Sequence, residues 1–200
     1  MSRGNLIVIS GPSGAGKSTV VNRAMETRND ICFSTSVTTR SPRPGETDGV
    51  DYFFIDQKRF DEMVADNDLL EHAVYVSNSY GTPRKFVEDK LSEGMNVILD
   101  IEIQGAAQVH KNKPEAVMVF IIPPSIDELR KRLTGRGTET EATIEARIQR
   151  AVQECGEADF YDYIIINDDL DKASEELSSI INAELCRFDK RYELLSSFGK

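Results

Sequence analysis

The chain has no tryptophan, two histidines and three cysteines among its 200 residues. Each shortage excludes something. Cys32, Cys155 and Cys186 are odd in number and far apart, with no metal-clamping spacing, so the sequence encodes neither a disulfide framework nor a zinc module. They read as reduced thiols of a cytoplasmic protein. His72 and His110 stand in no partner pattern and read as surface residues. No apolar run approaches the roughly 18 residues of a membrane-spanning helix. The opening MSRGNLIVIS enters a strand without a small-residue cleavage site, so no leader peptide is expected. Cations are scarce as well: 24 Lys and Arg face 34 Asp and Glu, for a formal net charge of −10. A broad nucleic-acid surface needs clustered cations to displace counterions. Neither nucleic acid nor membrane is therefore expected as a partner, although a local basic pocket is still allowed.

What is present is an ordinary globular composition, 40% hydrophobic and 29% charged, in a chain long enough for one domain with a sizeable core. NLIVIS (5–10), NVILDI (96–101) and AVMVFII (116–122) are short continuous apolar runs, the pattern of strands buried on both faces. Further strands are expected over 31–36, 50–56, 69–76 and 163–168. Helices are expected over 17–27, 57–66 and 83–93, the last with Pro83 in its first turn. Another spans 125–133, with Ser125 and Glu128 in capping-box spacing. From 170 onward Leu170, Ala173, Leu177, Ile181, Leu185, Phe188 and Tyr192 recur at helical spacing and predict one core-facing helix. Strands alternating with helices make this an α/β protein with a mainly parallel sheet flanked by helices. Two parts break the rhythm. Residues 37–90 hold consecutive strands and read as an inserted lobe. Residues 134–146 are polar and coreless, and read as a mobile flap.

Between the first strand and the first helix lies GPSGAGKST. Gly11, Gly16, Lys17 and Ser18 match G-x-x-x-x-G-K-[ST], a coincidence expected on the order of once in a hundred chains of this length. The strand-to-helix context is the one the motif requires. Bare backbone lets successive amides cradle phosphate oxygens, and the helix aims its positive end at them. Lys17 would bridge the outer phosphates, and Ser18 would ligate Mg²⁺. Asp100 ends the NVILD strand, where its carboxylate can hold the metal through water.

Arg40 and Arg43 sit in a segment stiffened by Pro42 and Pro44, with Tyr52 and Tyr80 nearby as neutral donors. Two fixed guanidinium forks suit a phosphate. The other reading pairs them with Glu46 or Asp48, or leaves them in solvent. Arg132, Arg136, Arg147 and Arg150 surround the polar flap, from which they could close on a transferred phosphoryl group. Read singly, each is a helix-surface ion pair.

The segments GPSGAGKST, TTRSPRPGE, DYFF, YGT, LDIEIQG, RGTETE and NDDLDKA together resemble the guanylate kinase family, in its order and spacing, from about residue 4 to about residue 187. The resemblance implies a P-loop NTPase core (1–36, 91–125 and 158–200), a GMP-binding lobe (37–90) and a lid (126–157). It implies ATP held by Gly11, Ser13, Gly14, Ala15, Gly16, Lys17, Ser18, Thr19, Arg132, Arg136, Asn167 and Asp168, the last two near adenine. Arg40, Arg43, Tyr52 and Tyr80 fall to the GMP phosphate. Ser36, Glu71, Gly81 and Thr82 fall around guanine, with Asp100 and Glu102 lining the site. Lys17, Arg43, Arg136 and Arg147 are the implied catalytic cations, with Mg²⁺ as cofactor. Where the family often has Asp, this chain has Glu102, a longer carboxylate arm.

The residues support that implication. Guanine presents two adjacent donors, N1–H and the 2-amino group, and one carboxylate such as Glu71 can accept from both. Adenine would set a lone pair against it, and sites built on such hydrogen bonds reject the wrong ligand by ~10⁴-fold or more. The expected reaction is ATP-dependent phosphorylation of GMP, and by extension dGMP, to GDP within purine metabolism. Two alternatives remain at this point: a catalytically silent guanylate-kinase-like binding module, and a kinase of another small phosphorylated acceptor. A GTPase switch is disfavoured because the chain has no N-K-x-D-like motif. Whether the chain is a monomer or a homo-oligomer is undecided by sequence.

Overall fold

A computed structural model of the chain describes residues 3–75, 77–135 and 140–199. The elements run β1 (Leu6–Ser10), α1 (Lys17–Met25), β2 (Ile31–Phe33), β3 (Val37–Thr38), β4 (Phe53–Phe54), α2 (Gln57–Ala65), β5 (Leu69–Tyr75), β6 (Asn78–Pro83) and α3 (Arg84–Ser92). They continue with β7 (Asn96–Asp100), α4 (Ile103–Asn112), β8 (Val117–Ile122), α5 (Ile126–Thr134), α6 (Glu141–Gly156), β9 (Tyr163–Ile166), α7 (Leu170–Leu185) and α8 (Phe188–Arg191), closing on a 3₁₀ turn at Tyr192–Phe198. Five strands form a parallel sheet in the order β2-β7-β1-β8-β9. The other four form a smaller mixed sheet, β4-β3-β6-β5.

The continuous apolar runs are explained by burial on both faces. All five residues of β1 are buried. Because side chains alternate along a strand, Ile7 and Ile9 face one layer, where they join Val20, Val21 and Ala24 of α1 and Ala173, Leu177 and Ile181 of α7. Leu6 and Val8 face the other, with Val87 and Leu91 of α3 and Ala106 and Val109 of α4. The parallel register sets Ile9 beside Asp100, so the first strand's loop and the acidic end of β7 emerge at the same edge.

Several expected elements differ in extent. The strand expected over 31–36 ends at Phe33, and that over 50–56 shrinks to Phe53–Phe54. The strand expected over 163–168 stops at Ile166, and Val76, within the strand expected over 69–76, lies outside the described residues. Pro83 ends β6 and caps α3 from outside, with φ −63° and ψ 118°. Ser125 caps α5 by accepting from Glu128 N (3.1 Å), but the Glu128 carboxylate turns to Arg132 and Lys131, so only half a capping box forms. The helix α4 had no clear signal in sequence.

Two corrections are larger. Residues 134–146 are not coreless throughout: 136–139 lie outside the described residues, but α6 starts at Glu141 under a Thr140 cap. There Ile144 is 3% exposed and joins Leu129, Leu133, Ile148 and Ala151 in a separate small cluster between α5 and α6. The C-terminal stripe also breaks. α7 stops before Cys186, and Phe188 and Tyr192 are exposed, packing edge-to-face on each other instead of on the core.

Candidate active site

The phosphate loop leaves β1 at Gly11 and enters α1 at Lys17. Gly11 has φ 145°, and a Cβ there would lie 1.9 Å from the Ile121 carbonyl oxygen. Gly16 has φ 86°, and a Cβ there would lie 2.4 Å from Asn167 Nδ2. Neither position accepts a side chain, which is why glycine stands at both. Gly16 caps α1 without a side-chain acceptor, and no acid occupies the helix's first turn. The positive end of α1 is therefore left for an external anion.

Within the loop, Ala15 N donates to Pro12 O (3.0 Å), and Asn167 Nδ2 donates to Ala15 O (2.8 Å). Lys17 Nζ donates to Gly11 O (2.8 Å) and lies 4.0 Å from Asp100 Oδ1. Ser18 Oγ donates to Asp100 Oδ2 (2.8 Å). Arg147 of α6 donates to Ser13 Oγ (3.2 Å) of the loop itself, and Arg132 of α5 donates to the carbonyl of Asn167 (2.8 Å), the residue whose side chain holds Ala15. Leu129 and Leu133 of α5 also close on Gly14. Thr19 lines a shallow depression with Asp169 and Asp171, next to exposed Asp168. Arg136 lies outside the described residues.

Two adjoining cavities meet at this edge. One, of about 300 Å³, is lined by Gly11, Ser13, Lys17 and Arg147. The other, of about 400 Å³, is lined by Ser36, Tyr52, Glu71 and Tyr80. Asp100, Ile101, Glu102 and Arg150 line both. Ser36, Tyr52 and Asp100 also border a third recess of about 340 Å³, which Thr82 reaches.

Glu71 on β5 is 6% exposed, and its Oε1 accepts from Thr82 Oγ1 (2.7 Å). Burial pushes its carboxyl above the usual carboxylate range, while the Thr82 bond works against that shift. Tyr52 is pushed up by burial as well, and its ring meets that of Tyr80 edge-on at 6.1 Å. Gly81 sits at the centre of the small sheet, paired with Val37 and His72.

The two arginines of the 37–90 segment behave differently. Arg40 forms a fork–fork pair with Glu46 (2.8 and 3.0 Å), the pairing that sequence left as the alternative, and stands over the Tyr52 ring at 5.4 Å. Hydrogen bonding to Arg40 holds the Glu46 carboxyl below its ordinary value. Arg43 is exposed, and its backbone N–H donates to Glu46 (2.7 Å). Neither arginine lines the cavities. Glu102 pairs with Arg150. Sequence reads Arg150 with Arg132, Arg136 and Arg147 as one set of flap cations but gives it no individual contact; its spacing three residues after Arg147, on one helix face, is the signal that could have placed it. Gln104 and Gly105 line the larger cavity and were missed, because the helix carrying them was not foreseen.

Comparison with known proteins identifies the family. The family model described as guanylate kinase matches residues 3–184. A guanylate kinase of Oceanobacillus iheyensis is 46% identical over 98% of this chain and 97% of its own length. One of Bacillus cereus is 50% identical over 94% of this chain and 92% of its own. Among solved structures, the crystal structure of guanylate kinase from Anaplasma phagocytophilum matches with a TM-score of 0.76 and 35% identity, covering 98% of this chain and 96% of that one.

Proposed function

The chain belongs to the guanylate kinase family and is an enzyme that phosphorylates GMP to GDP with ATP, and on that premise we propose that the two adjoining cavities divide the reaction between the two nucleotides. The smaller takes the ATP phosphates. Amides of residues 11–18 and the free end of α1 bind them, and Lys17, steered by Gly11 O and Asp100, supplies the mobile positive charge. The larger takes GMP. Glu71 accepts from N1–H and the 2-amino group, with Ser36 and Thr82 hydroxyls beside it. Tyr52 and Tyr80 face the acceptor phosphate, and Arg40, once Glu46 releases its guanidinium, and the exposed Arg43 are the cations that turn to it. The observation that carries this reading is the wall of Asp100, Ile101, Glu102 and Arg150 common to both cavities, which brings donor and acceptor phosphates to one place.

Ser18 and Asp100 offer one hydroxyl and one carboxylate within 2.8 Å of each other, the sparse oxygen set that suits Mg²⁺, which keeps its other positions for water and phosphate. When bound, Mg²⁺ neutralises charge on the outer ATP phosphates. The protein's own work is positioning and charge stabilisation. No strong base is needed, because the attacking GMP phosphate oxygen is already ionised. Lys17, Arg43, Arg136 and Arg147 stabilise the charge spreading over the transferred group, and α5 and α6 close to keep water out. Residues 37–90 form the GMP-binding lobe, residues 126–157 the lid and the remainder the core. The free cysteines, two of them exposed, suit a reducing cytoplasm, and phosphorylation of GMP to GDP is a step of purine metabolism.

The test is ADP release in a coupled assay across GMP, dGMP, AMP, UMP and CMP. GMP should turn over far faster than AMP or the pyrimidine nucleotides, and Lys17→Ala should abolish turnover with the fold intact. Near-normal turnover of that variant would overturn the assignment of the loop.

A further inference from the structure

Glu71 does not sit in a regular strand. The register of β5 against β6 shifts between Leu69 and His72, so the carboxylate leaves the backbone at an irregularity where pairing alone does not fix its direction. Something else must aim it. Helix α4 packs against this stretch, and three residues on one of its faces meet β5 in succession. Gln108 accepts from His72 N (3.1 Å) and donates to His72 O (2.9 Å), replacing a missing ladder partner at both backbone groups. Asn112, a turn further on, reaches Leu70 O at 3.5 Å. A turn before Gln108 stands Gly105, where a Cβ would lie 2.7 Å from Glu71 Oε2 and 3.3 Å from its Cδ.

That last distance is closer than a side chain tolerates. The atom it would strike is the tip of a flexible side chain, not backbone, so the clash would be relieved by moving the carboxylate. Any such movement displaces the carboxylate from the position in which its Oε1 accepts from Thr82 Oγ1 (2.7 Å). Gly105 carries no positive φ, and it occupies a helical position where alanine is the better helix former. The usual reasons for glycine, strain and turn geometry, are therefore absent here. What remains is the space.

We infer that Gly105 is a positioning residue for base selection: the missing side chain on α4 sets where the Glu71 carboxylate lies, and Gln108 holds the strand beneath it. The inference rests on Glu71 as the reader of guanine. The experiment compares Gly105→Ala, Glu71→Gln and the double variant in the full chain, with GMP and inosine monophosphate as acceptors. The latter lacks the 2-amino group and so offers Glu71 one donor instead of two. Gly105→Ala should raise the GMP KM ~10-fold or more, the range expected for losing a hydrogen bond to a charged group. The preference for GMP over inosine monophosphate should fall, while the ATP KM stays put and Tm is unchanged or higher. The double variant should lose no more base preference than Glu71→Gln alone. If Glu71→Gln impairs GMP use and Gly105→Ala does not, the positioning role is overturned and the guanine reading stands. If Glu71→Gln leaves the GMP KM and the preference intact, the guanine reading itself falls. A lowered Tm with ATP and GMP affected alike would reduce Gly105 to packing and overturn the inference.

Discussion

Asn167 offers the sharpest test of how the phosphate loop is held. Its Nδ2 turns inward and donates to Ala15 O (2.8 Å), where Asn167 is 7% exposed and Ala15 is fully buried. Asn167→Ala leaves the Ala15 carbonyl without this donor. A buried acceptor stranded in this way costs about 1–3 kcal/mol. For a chain of this size each kcal/mol is worth about 2–4 °C, so Tm should fall by about 2–12 °C. The loop it releases must keep Gly16 at φ 86° beside the same amide, so the ATP KM should rise several-fold while the GMP KM stays constant. Asn167→Asp decides the cause. The carboxylate is nearly isosteric but has no donor when ionised, and it would set two oxygens 2.8 Å apart. At neutral pH it should therefore be less stable than Asn167→Ala, and it should recover as the pH drops and the carboxyl takes up a proton. Melting curves and initial rates at varied ATP measure both effects. An Asp variant as stable as the parent at pH 7 would refute the clamp.

Three further outcomes follow from burial. Glu71 binds its proton more tightly in the folded chain than in the unfolded one, so its contribution to stability is present below the unfolded pKa and is lost as pH rises through the raised folded value. Glu71→Gln should thus melt at or above the parent at pH 8, with the difference closing below about pH 4, and a clearly lower Tm at pH 8 would contradict the burial argument. The same raised pKa makes the parent's GMP KM climb as pH falls, a trend that Glu71→Gln should lack. Leu133→Ala, at a fully buried site in the cluster between α5 and α6, removes packing worth about 2–5 kcal/mol from a small unit. It should speed hydrogen exchange over 141–156 and lower kcat more than it lowers the global Tm, and unchanged exchange there would show that the cluster does not hold the two helices together.

The parts legible in sequence were those whose signal is local. The loop announces itself through Gly11, Gly16, Lys17 and Ser18, because close backbone approach and phosphate charge restrict residue choice position by position. The parallel strands announce themselves as apolar runs, because both faces are covered. The parts that were not legible depend on partners far along the chain. Helix α4 was missed because its buried positions (Ile103, Gly105, Ala106 and Val109) include two small residues that carry little hydrophobic signal, yet let the helix approach β5 closely. Residues 141–146 looked coreless because Ile144 finds its partners only on α5 and further along its own helix. The stripe running to Tyr192 looked continuous because periodicity does not register where a helix leaves the body of the protein, as α7 does at Cys186.

The placement of the site follows from sheet order. In an open parallel sheet, ligands gather beyond the carboxyl ends of the strands where neighbouring connections diverge. Here β1 lies between β7 and β8, and its loop runs along that edge. The carboxyl end of β7 supplies Asp100, and that of β9 leads into Asn167, which reaches back across to Ala15. Glu71, Tyr80 and Thr82 come from the other sheet, and Glu71 meets α4, whose first turn follows directly from Asp100, Ile101 and Glu102. One continuous stretch, residues 100–105, therefore runs from the carboxylate proposed to hold Mg²⁺, along the wall common to both cavities, to the glycine beside the carboxylate proposed to read the base. Donor geometry and acceptor choice are tied through six residues of backbone. A substitution at Gly105, which lines the larger cavity alone, should therefore raise the GMP KM first, whereas one at Asp100, Ile101 or Glu102, on the wall common to both cavities, should shift the ATP and GMP KM together when initial rates are measured with each nucleotide varied.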